Sequence, residues 1–99
     1  MRLVFSRLAE KDLEEIGDYI AADNPARALR FVREIRRHCG EIATSPLAYV
    51  ARPELGPQIR ACPHGRYLIF FQALDDQIVI ARVLAGARDL PRLFGSDEP

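Results

Sequence analysis

The stretch Gly65–Leu90, GRYLIFFQALDDQIVIARVLAGARDL, constrains the fold more than any other part of the chain. Two apolar runs, Tyr67–Phe71 and Ile78–Leu84, flank a polar break at Asp75-Asp76. Isoleucine, valine and aromatic residues dominate both, and each has the length of a strand rather than a helix. Two such runs joined by a short acidic turn predict a β-hairpin. Its hydrophobic surface demands a cover, so the remaining elements are read by asking what can supply one.

Upstream, Ala9, Leu13, Ile16 and Ile20 recur at spacings of four, three and four, the stripe of an amphipathic helix over about Arg7 to Ala22. Ser6 is placed to cap it. Glu10, Asp12, Glu14, Glu15 and Asp18 are assigned to an acidic outer face. Asn24-Pro25 closes this helix and opens a second, because proline at the first helical position forfeits no hydrogen bond. Ala28, Phe31, Val32, Ile35, Cys39 and Ile42 make the second stripe, with Arg27, Arg30, Arg33, Arg36 and Arg37 mostly off it. The short joint implies an antiparallel helical hairpin. The basic helix beside the acidic one suggests ion pairs between them; a phosphate-tracking stripe is the alternative use of those arginines.

Leu3-Val4-Phe5 reads as a first strand, Ser45 to Pro57 as an irregular connection, and Gln58–Ala61 as a short strand ended by Pro63. The expected fold is α+β: an N-terminal strand and an antiparallel helical hairpin packed on a mainly antiparallel sheet, forming one domain over 1–94 with a flexible tail at 95–99. Leu13, Ile16, Ile20, Phe31, Ile35 and Ile42 are expected to be buried against the sheet. Two long apolar strands exceed what one helix pair covers, so an exposed apolar groove is expected on the sheet.

The formal net charge is zero, which is not the charge of a general nucleic-acid binder. Lys11 is the only lysine among 14 basic residues. No apolar run approaches membrane-spanning length, and the absence of a signal sequence together with lone Cys39 and Cys62 predicts a cytoplasmic protein with reduced thiols. No metal or cofactor is expected: His38, His64, Cys39 and Cys62 lack ligand spacing, and there is no phosphate-loop or nucleophile-elbow motif. What remains are sheet arginines, Arg60, Arg66, Arg82 and Arg88. Arg82 interrupts an apolar strand and must reach solvent, a partner, or an internal acid on the first helix or near the C-terminus.

The ordered strings Ser6-x-x-Ala9-x-x-Asp12-Leu13-x-x-Ile16, Tyr19-Ile20, Asn24-Pro25, Arg66–Phe71, Arg82-Val83-Leu84-x-Gly86-Ala87-Arg88-Asp89 and Leu93-Phe94 resemble the ParE-like toxins of the RelE/ParE superfamily. That resemblance implies a type II toxin–antitoxin module of the plasmid-stabilising kind, a DNA gyrase target and a cognate antitoxin. Its RelE-like branch instead cleaves mRNA on the ribosome. Aligned with that branch, Leu68 stands where a sheet arginine would, and Phe94, which lacks a hydroxyl, where a catalytic tyrosine would; only Arg88 matches a basic position well. The chain is thus expected to act by binding, with no catalytic residue. The alternatives are a ribosome-dependent mRNA interferase and a toxin-fold interaction module that has lost toxicity. Arg60, Arg66, Arg82 and Arg88 are the target-binding candidates, and Tyr67, Ile69, Phe71, Leu84 and Phe94 the antitoxin-binding candidates. Ala85 replaces a histidine common in the family, which bears on toxicity.

Overall fold

The structure, a computed structural model, describes residues 1–86. Their order is β1 (Arg2–Phe5), α1 (Arg7–Ala21), α2 (Pro25–Ile42), β2 (Val50–Ala51), β3 (Ile59–His64), β4 (Tyr67–Ala73) and β5 (Gln77–Ala85). Short 3-10 turns at Pro46–Ala48 and Pro53–Leu55 lie in the connection around β2. One five-stranded sheet results, in the order β1-β5-β4-β3-β2. It is antiparallel except where β1 lies parallel to β5.

The helices start where side chains satisfy their free backbone donors. Ser6 Oγ accepts from Ala9 N, and Asn24 Oδ1 accepts from Arg27 N, with Pro25 in the first turn. Ser6 also ties α1 to the sheet, donating its hydroxyl to the Ala81 carbonyl at 2.9 Å and its N–H to the Ile80 carbonyl. Leu13, Ile16, Ile35, Cys39 and Ile42 are buried with Cys62, Ile69, Phe71, Ile78, Ile80 and Val83 on one face of the sheet. Ile20 and Phe31 are only partly buried, packed against the margin of that core.

Two departures from the sequence reading are informative. β3 runs through Pro63 instead of ending before it. The second face of the sheet is not an open apolar groove: Leu55 from the connection joins Ile59, Ala61, Phe70 and Leu84 in a small second core, and Phe70 is completely buried. The large exposed apolar side chains include Val50 on the edge strand β2 and, away from the sheet, Leu8 and Leu29, which border a groove of about 890 Å³ between the outer faces of α1 and α2. Among the described residues no helix is long and apolar enough to cross a membrane.

Two turns need particular backbones. The β3–β4 hairpin closes over the two residues Gly65-Arg66, and Gly65 takes a φ of +61°, the first-position positive φ that a tight hairpin turn uses. Further along, the β4–β5 register shifts between Phe70 and Phe71. Ile80 and Val83 consequently both point into the helix-side core, with Arg82 between them.

Candidate functional site

β1 pairs with β5 only as far as Phe5 and Ile80, so the rest of β5 has an open edge. α1 covers it with a carboxylate. Asp12 accepts from Arg82 Nε at 2.8 Å, from Arg82 Nη2 at 2.9 Å and from the Val83 backbone N–H at 2.9 Å. Only 8% of the Asp12 side chain and 15% of the Arg82 side chain are exposed. Hydrogen bonding to Asp12 holds the Arg82 guanidinium above its ordinary pKa, despite the opposing effect of burial. The assignment of Asp12 to the outer acidic face is therefore corrected. It lies one residue before Leu13 and three after Ala9, within the buried stripe, and its partner is the charge that interrupts β5.

Beside this pair, the ends of β4 and β5 and the second half of α1 enclose an open recess of about 300 Å³. Arg66, Tyr67 and Tyr19 rim it, with Glu15 from α1, and Ile16, Val83 and Leu84 contribute its apolar lining. Tyr19 is 76% exposed and Arg66 is exposed, so two groups that recur at binding hot spots face outward together. The Arg66 carbonyl accepts from the Gly86 N–H at 3.0 Å, which fixes the turn against the end of β5.

The sequence-derived candidates are distributed unevenly. Arg66, Tyr67 and Leu84 meet in the recess, and Arg82 stands behind it, bound to Asp12. Arg60 does not join them: it sits on β3 about 13 Å along the strand, opposite Phe71, and donates to the Tyr49 carbonyl at 2.7 Å. Ile69 and Phe71 are completely buried under the helices, and Leu84 is 2% exposed, so these three are core residues of this chain. Arg88 and Phe94 lie outside the described residues. Tyr19 was absent from the sequence-derived candidates, although its spacing of three from Ile16 places it at the border of the buried stripe.

A second cluster was also missed. His38 Nδ1 and His64 Nδ1 are 2.9 Å apart, and His38 Nε2 is 3.3 Å from Cys62 Sγ. Strand alternation puts Cys62 and His64 on one side of β3, and α2 brings His38 over them. The sequence signal was that alternation. Burial and the neighbouring Glu41 raise the Cys62 thiol pKa, which keeps it protonated at neutral pH. Cys39 is pushed up to about 12, chiefly by burial and then by Cys62. Neither is an activated nucleophile. Cys62 and His64 approach opposite nitrogens of His38, so these three groups do not converge on one point, and among the described residues no set of three potential ligands could hold a metal ion.

The family model for ParE toxins of type II toxin–antitoxin systems matches residues 3–90. The chain belongs to the ParE toxin family. A solved structure of the chromosomal ParDE toxin–antitoxin system from P. aeruginosa is similar to this ParE-family chain, with a TM-score of 0.74 and 25% identity. The similarity covers 86% of this chain and 95% of that one. A comparison with curated proteins found no match. The two helices on a mostly antiparallel five-stranded sheet are thus the ParE architecture.

Proposed function

We infer that this ParE-family toxin inhibits DNA gyrase by binding, and that a cognate antitoxin neutralises it by covering the same face. One observation carries the reading: Arg66, a target-binding candidate, and Tyr67, an antitoxin-binding candidate, line a single recess beside exposed Tyr19, with the buried Leu84 behind them. A partner seated there removes Arg66 from reach of any other, so neutralisation follows from occupancy and requires no change of fold. The P. aeruginosa relative comes from a ParDE toxin–antitoxin system, which supports an antitoxin partner for this chain. Arg82 serves indirectly. Its bidentate pair with Asp12 holds β5 against α1 and so positions the recess. Gyrase is a cytoplasmic target, in keeping with two cysteines that form no disulfide.

The reading is tested by inducing the chain in a bacterial host that carries no antitoxin. Filamentation with a DNA-damage response is the expected result. Prompt arrest of translation with cleaved mRNA would overturn it and assign the chain to the mRNA-interferase branch.

A further inference from the structure

The arginines of α2 fall into two groups. Arg36 turns toward α1, donates to Glu10 at 2.6 Å and lies 4.9 Å from the centre of the Phe5 ring. Arg27, Arg30, Arg33 and Arg37 do not share in this. All four are exposed on the side of α2 opposite Ala28, Ile35 and Cys39, and among the described residues no carboxylate lies within ion-pair distance of them. The acids of α1 therefore neutralise one arginine of the run and leave a row of four cations. At 1.5 Å per residue the row is about 15 Å long. The small residues Ala26 and Gly40 flank the row; Glu34 lies within it and, with Glu41, lines a recess beside Arg37, outside ion-pair distance, so the cations outnumber the acids on this side of α2.

We propose that this row, Arg27, Arg30, Arg33 and Arg37, is a docking face for the phosphate backbone of duplex DNA, separate from the Arg66–Tyr67 recess. Charge complementarity selects a polyanion, and arginine forks match phosphate oxygens. An acidic protein partner fits less well, because the four arginines have no aromatic ring among them and the exposed Leu29 of this helix borders the groove against α1 instead. A single strand is also disfavoured, since no aromatic ring on this face can stack a base. A 15 Å row spans the roughly 12 Å mouth of the B-DNA major groove and meets phosphates on both walls, whereas the narrow major groove of A-form RNA offers no such fit. The contact reads no sequence. It would hold the toxin, alone or in complex, against DNA at a face unconnected with its protein target.

The test is the salt dependence of binding of the full chain to a fluorescent mixed-sequence DNA duplex, followed by anisotropy. Four phosphate contacts predict a slope of log K against log salt near −3.6, or about a 150-fold loss of affinity between about 50 and 200 mM salt. Each single Arg→Gln change in the row should flatten the slope by about 0.9, equally for two unrelated sequences. Arg36→Gln should leave the slope unchanged. Circular dichroism and Tm confirm that each variant folds, and the wild-type slope stands whatever the variants do. A wild-type slope near zero, tighter binding to duplex RNA or to polyglutamate than to DNA, or equal losses from Arg36→Gln and the row variants would each overturn the proposal.

Discussion

At the residue scale, Asp12 carries the largest local burden. It is the buried acid of the α1–sheet interface, and its oxygens are engaged by Arg82 and by the Val83 N–H. Removing either member breaks a largely buried, hydrogen-bonded ion pair, so Asp12→Ala should cost about 3–5 kcal/mol in chemical denaturation. Arg82→Ala should be comparably destabilising, while replacement of both by apolar residues should recover much of the loss. Loss of toxicity in Arg82→Ala alone therefore reports a damaged fold, and the apolar double variant separates structure from target contact. His64 gives a pH-dependent prediction. Burial and then His38 lower its pKa below 6.5, so the folded state resists its protonation. Below pH 6.5 the unfolded chain takes up that proton first. The His64 contribution is fully present above pH 6.5 and declines as pH falls toward the folded value. His64→Asn should flatten the Tm profile between pH 7 and 5.

At the scale of elements, the hairpin, the two helices and both caps were legible because each rests on local chemistry: strand-length apolar runs, a 3.6-residue stripe, a serine and an Asn-Pro at the joints. What was not legible depended on partners distant in sequence. The inward turn of Asp12 needed Arg82, 70 residues away. β2 is two residues long and exists through its pairing with β3. The second core needed Leu55, from a connection whose four Pro and Gly residues read as irregular. The candidate site was partly legible: Arg66, Tyr67 and Leu84 do meet, while Arg60 is four positions along β3 from the turn that carries Arg66. Burial also grades the core substitutions. Ile35→Ala, at a fully buried site, should cost about 2–5 kcal/mol, and Phe31→Ala less, because Phe31 is only partly buried and packs its ring on His64 and Tyr67. Ser6→Ala removes both a helix cap and a tie to β5, so a loss near the upper end of the usual 0.5–2 kcal/mol for a cap is expected in equilibrium unfolding.

At the scale of the molecule, a net charge of zero is the sum of unlike surfaces. α1 presents Glu10, Glu14, Glu15 and Asp18 outward, and α2 presents its arginines. Between them runs the groove bordered by exposed Leu8 and Leu29, with Glu10, Lys11, Glu14, Asp18 and Arg36 along its walls. Co-expression with an antitoxin should raise both soluble yield and Tm, because a ligand that binds the folded state alone stabilises it; equal yield and Tm with and without it would count against antitoxin capture.

The central claim is inhibition of gyrase by contact through the Arg66–Tyr67 recess. The most direct measurement is gyrase supercoiling in the presence of the purified chain, beside mRNA cleavage on programmed ribosomes. The account predicts that wild type blocks supercoiling, that Arg66→Ala with Tyr67→Ala loses this block while keeping its Tm within a few degrees, and that mRNA stays intact. Codon-dependent mRNA cuts with supercoiling untouched would contradict it.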